Sequence, residues 1–84
     1  MSRYIQVLGT EAAVSTASAL NGAQLIRVYN NNGAAVVITI ADSEAATLGT
    51  FTIAAGAVEY VRKKSSDTIA AATSCKMVAV AFGD

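Results

Sequence analysis

The chain has 84 residues, six of them basic and six acidic, for a formal net charge of 0, and it contains no histidine. One domain is expected at this length, and balanced charge gives no bulk attraction to nucleic acid or to an anionic membrane. Without histidine there is no imidazole base, no Ser-His or Cys-His nucleophile and no ordinary transition-metal site, so neither an enzyme nor a cofactor is expected.

The chain reads as a single β domain over residues 1–84, with 1–23 as a less regular N-terminal arm. MSRYIQVLGTEAA holds no apolar run long enough for a signal peptide or a membrane span, so synthesis in a cytoplasm from at or near Met1 is expected. A first short strand is expected at Ile5–Leu8, closed by Gly9. In TEAAVSTASALNGA the only large apolar residues, Val14 and Leu20, lie six apart, which fits a helical stripe poorly. Irregular chain or weak strand is expected there.

Five further strands follow, at Gln24–Tyr29, Ala35–Ile40, Thr50–Ala54, Val58–Lys63 and Lys76–Phe82, each β-branched or aromatic and bounded by Gly, Asn, Asp or Ser. Between the second and third strands stands NNNG, Asn30–Gly33, where Asn-Gly suits the positive φ values of a tight hairpin turn. ADSEAATLG is a longer loop and AAGA around Gly56 a short reversal. The period of two is clearest in TFTIA and in KMVAVAF. In the latter, Val78, Val80 and Phe82 share a face expected to meet the core, while Met77, Ala79 and Ala81 share a small-residue face suited to a close-packed neighbour. Short strands, frequent turns and no interleaved helix imply an all-β fold, an antiparallel β-sandwich or small barrel of about six to eight strands.

Eighteen of the apolar residues are alanine, so the core is thin. With Cys75 as the only cysteine, no intrachain disulfide reinforces it. Self-association, with a trimer favoured, or docking on a larger surface is the expected remedy. The candidate interface residues are Asn30, Asn31, Asn32, Lys63, Lys64, Met77, Ala79 and Ala81, and the turn-forming ones Gly33 and Asp67. In VEYVRKKSSD, Val58, Tyr60 and Arg62 project one way and Glu59, Val61 and Lys63 the other, so strand geometry splits the three cations. The stretch lacks the glycines and following helix of a phosphate loop, and reads as a turn whose Ser and Asp side chains bond their own backbone. Asp42 with Glu44 lacks the rest of a calcium loop, and nothing pairs Glu59 with Asp67 as two carboxylates of a hydrolase. Cys75, among Lys76, Met77 and Val78, reads as a small buried hydrophobe.

The segments LIRVYNNNGAAVVITI, GTFTIAAGAVEYVRKKSSDTIAA and CKMVAVAFG resemble the small virion proteins of tailed bacteriophages, notably those of marine and cyanobacterial hosts. The shared form is a strand ending in Asn, a GTFTIAAG reversal, a Tyr/Val strand, a Lys-x-x-x-Asp-Thr-Ile-Ala-Ala turn and a last strand of alternating valines. Lys63 or Lys64, Asp67, Thr68, Ile69, Ala70 and Ala71 occupy that turn. The resemblance runs from Leu25 to Gly83 and leaves the N-terminal arm outside it. It implies a capsid decoration or cement protein on the virion surface, bound to the major capsid protein and stabilising the head. The alternative it implies is a tail or head-fibre accessory that binds a host surface or another virion protein.

Overall fold

A computed structural model describes residues 4–83. The fold is all-β. Eight strands form, β1 Tyr4–Val7, β2 Ala12–Val14, β3 Leu25–Tyr29, β4 Val36–Ala41, β5 Thr47–Ile53, β6 Val58–Arg62, β7 Thr68–Ala71 and β8 Cys75–Gly83. They make two antiparallel sheets, one of five strands ordered β1-β8-β3-β6 with β2 also on β8, and one of three ordered β5-β4-β7. Among the described residues there is no helix, hence none long and apolar enough to cross a membrane.

The core lies between the sheets and follows the two-residue period. Ile26 and Val28 of β3, Cys75 and Met77 of β8, Val36 and Ile38 of β4, Ile53 of β5, and Ile69 and Ala71 of β7 are buried there. Leu20, Ile40, Phe51 and Val61 pack around them half-buried. β-Branched residues dominate because a stiff branched side chain fills a pleated, buried face with little rotamer entropy to lose.

Along β8 the faces are the reverse of those expected from residue size. Met77, cross-strand from Val28, is fully buried between the sheets. Val78 and Val80 lie on the opposite face and are buried there. Val78 is opposite Arg27, whose guanidinium donates to the Glu11 carboxylate at 3.0 Å. Size alone misleads because both faces of this central strand are covered, so bulk does not mark the intersheet side.

β8 is nine residues long and serves two partners on one edge. Its first part pairs with β2, through Val14↔Cys75 and Ala12↔Met77, and its second with β1, through Val7↔Val80 and Tyr4↔Gly83. Residues 8–11 step between the two registers. After β2 the chain crosses to the other sheet, where Ser18 and Ile69 exchange main-chain hydrogen bonds at 3.0 and 2.9 Å and the Ala71 N–H donates to the Ser15 carbonyl at 3.0 Å. The N-terminal arm thus closes one side of the sandwich by covering the β7 edge.

Two connections depart from the sequence expectations. β3 and β4 belong to different sheets, so Asn30–Gly33 is a crossing between sheets and not a hairpin turn; neither Asn32 nor Gly33 has positive φ. Segment 68–71, read as part of a turn, is strand β7 with Ile69 fully buried. Among the described residues the one sequential hairpin is β4–β5. In its loop the Asp42 carboxylate accepts from the main-chain N–H groups of Glu44 and Ala46, both at 2.9 Å. The reversal at Gly56 does form, with φ of 74° and an Ala57 N–H to Ala54 carbonyl bond of 3.0 Å. Positive φ two places into a four-residue turn is where glycine carries no steric penalty.

Candidate functional site

Asn30 ends β3 and is fully buried, so it is not an exposed group offered to a partner. Its amide nitrogen donates to the carbonyls of Ala34 at 2.9 Å, Ile53 at 3.1 Å and Ala54 at 3.3 Å. Its oxygen accepts from the main-chain and side-chain nitrogens of Asn32 at 3.0 and 2.9 Å. One amide thereby ties the crossing after β3 to the end of β5, because carboxamide alone among short side chains both donates twice and accepts. Asn32 continues the network with a 2.8 Å bond to the Ser74 carbonyl. Asn31 and Gly33 are exposed.

The basic stretch divides as the strand period requires. Lys63 follows Val61 on the core side and is only 5% exposed, whereas Arg62 and Lys64 are exposed. The Lys63 ammonium donates to the Ala19 carbonyl at 2.9 Å and the Lys64 carbonyl at 3.3 Å. Burial lowers its pKa below 10.5, partly opposed by the nearby Asp67 carboxylate. The loop it holds is strained, since Leu20 and Asn21 have φ of 51° and 56° ahead of Gly22 at 78°, and left-handed backbone costs a branched residue on the order of 1 kcal/mol or more. Buried Asp67 closes the following turn. Its carboxylate accepts from the Lys64 N–H at 3.3 Å, and its own N–H donates to the Lys64 carbonyl at 3.0 Å. Lys63 is thus a structural staple, and not the surface residue that a candidate interface with Lys64 requires. Its parity with Val61 was legible; that this face of β6 meets the core was not.

Around this turn lies a cleft of about 600 Å³ lined by Ile40, Leu48, Gly49, Arg62, Lys64 and Asp67. Leu48 is 59% exposed, giving an apolar wall beside a cationic rim. Of the cleft's lysines, Lys63 is held by main-chain carbonyls, and the cleft's single carboxylate is already bonded to main chain. Cys75 is likewise committed to structure: burial raises its pKa above 9.0, and its thiol sits 3.5 Å from the Thr73 carbonyl.

The second concavity gathers part of the expected small-residue face. The intersheet core stops at Met77, and Ala79 and Ala81, further along the same face, are half-buried. With Leu8, Leu20 and Ala23 they line a groove of about 620 Å³. Leu8 donates its N–H to the Ala79 carbonyl at 2.9 Å while its side chain stays 56% exposed, as does that of Val7 at 59%. The groove brings Ala79 and Ala81 together with Met77 at its inner end. It does not bring them to Asn31 or to Lys64. Such a surface can seat an apolar segment; it has no group able to perform acid-base or nucleophilic chemistry. Compared with known proteins, the chain matches no family model, no curated protein and no solved structure.

Proposed function

We propose that the chain is a structural virion protein of a tailed bacteriophage, a capsid decoration or cement protein that binds the major capsid protein on the outside of the head. The reading assigns it no reaction and no cofactor. It rests on the resemblance of residues 25–83. The single structural observation that supports it is the groove at the far end of β8, where Leu8, Ala79 and Ala81 leave apolar surface open. A groove with small residues at its base and Arg62 as its one charged lining residue lets another backbone approach closely, and binding there draws mainly on apolar burial.

The test is the stoichiometry of the chain in purified particles, combined with rebinding to shells stripped of it. A decoration protein is recovered in fixed proportion to the major capsid protein. Recovery in few copies with the tail would favour the accessory alternative, and absence from particles would refute both. Leu8→Glu should fold yet fail to rebind, whereas rebinding of Lys64→Gln should equal wild type and persist at high salt, where surface ionic contacts more than about 8 Å apart are already screened at physiological strength.

A further inference from the structure

The two sheets leave edges whose treatment differs. The β7 edge is covered by residues 15–18, and β1 and β2 are only four and three residues long. The β6 edge carries Glu59 and Arg62, charges of the kind that keep an edge from pairing with another chain. β5 has none of these protections. It is seven residues long, TLGTFTI, with β4 as its only sheet neighbour among the described residues. The sequence stays free of charge and proline from Ala45 to Val58.

The phase of the ladder fixes which main-chain groups face outward. Ala72 donates its N–H to the Val37 carbonyl on the β7 side of β4. Val36 and Ile38 therefore direct theirs toward β5, where their partners are Ile53 and Phe51. Main-chain direction alternates along a strand, so the N–H and C=O groups of Thr50 and Thr52 point away from the sheet. Gly49 adds a second, independent observation. Its φ is not positive, and a Cβ built on it would meet nothing within 4 Å, so neither backbone conformation nor packing inside the chain calls for glycine. Glycine within a strand often marks the close approach of another chain. Two residues along the same face, Phe51 is half-buried.

We infer that a second copy of this chain pairs with the β5 edge, antiparallel across a two-fold axis with Thr50 opposite Thr50. In that register Phe51 of each copy lies opposite Gly49 of the other, so a half-exposed ring fills the space that the glycine leaves open. The three-stranded sheets join into one of six. The bulge between Gly49 and Thr47, one in each copy, bounds the pairing at both ends. The interface is self-complementary, as a two-fold contact must be. It makes pairs, not the trimer expected from the alanine face, and it does not depend on a role in a virion. A strand pair this short falls below the area of stable interfaces, so association is weak and concentration-dependent.

Sedimentation equilibrium of the purified chain, up to about 1 mM, should show a monomer–dimer equilibrium, because weak association appears only near the dissociation constant. Thr50→Lys and Thr50→Glu each place like charges across the axis and should abolish the dimer, while an equimolar mixture of the two should restore it. Gly49→Val should abolish it as well, by filling the space meant for Phe51. For the unaltered protein, isotope-filtered NMR should show contacts between the Phe51 ring of one copy and Gly49 of another. A wild-type chain that stays monomeric across the range, a dimer or trimer unchanged by both Thr50 substitutions, or the absence of the Phe51–Gly49 contact in a dimer would overturn the inference.

Discussion

A buried lysine beside an exposed one makes neighbouring positions energetically unlike. Lys64→Ala should change stability by no more than about 0.5 kcal/mol, as for most surface sites. Lys63→Ala removes the bonds to Ala19 and Lys64 and the packed stem, for an expected loss of about 1–3 kcal/mol in urea denaturation. The pH dependence has a definite sign. Burial holds the folded pKa of Lys63 below the unfolded value of 10.5, so in the interval between the two the unfolded chain binds more protons. Stability of wild type relative to Lys63→Ala should therefore rise with pH through that interval and level off above 10.5. Asn30 is the costlier polar position: Asn30→Ala removes the amide's bonds to the carbonyls of Ala34, Ile53 and Ala54 and the acceptor of the Asn32 main-chain N–H, for a loss on the order of 3 kcal/mol. Asn30→Asp, nearly isosteric, should cost at least as much because a carboxylate cannot donate to those carbonyls. Equal stability of Asn30→Asp and wild type would contradict the bonding described. The sequence made Asp67 readable as a turn former because its bonds are local, whereas the tasks of Asn30 and Lys63 are set by partners far along the chain, Ile53 and Ala19.

Strands were readable wherever large β-branched residues alternate, as in β3, β4, β5, β6 and β8. β7 was not, because Thr-Ile-Ala-Ala follows a turn-rich Ser-Ser-Asp and offers one large side chain. Its identity as a strand depends on pairing with β4 and on the cover of residues 15–18, neither of which is local. Ile69→Ala should therefore behave as a core truncation, costing about 2–5 kcal/mol, and chemical denaturation would show it. If the substitution cost less than 1 kcal/mol, segment 68–71 would be the surface turn read from sequence. The connections were harder still. NNNG carries strong hairpin chemistry, yet the buried amide of Asn30 redirects the chain into the second sheet, and a tertiary network overrides the local preference. On β8, alternation showed which residues share a face, but which face meets the second sheet was decided by Val28 and Cys75 beside Met77.

At the scale of the whole molecule, a two-sheet sandwich holds its few polar interior groups in fixed structural bonds and turns its open apolar surface outward, at the groove near Leu8 and along the β5 edge. The all-β class was legible because composition and alternation agree. The groove was legible only in part, since Ala79 and Ala81 signal close approach but Leu8 and Leu20 join them solely through the fold. The proposed binding role in a virion rests on the resemblance of residues 25–83 and would use the groove, and a reconstruction of the particle at side-chain resolution tests it most directly. The expected result is this sandwich repeated over the outside of the head, with a segment of the major capsid protein seated against Leu8, Ala79 and Ala81. A head surface without it, or density for it confined to the tail, would contradict the decoration role.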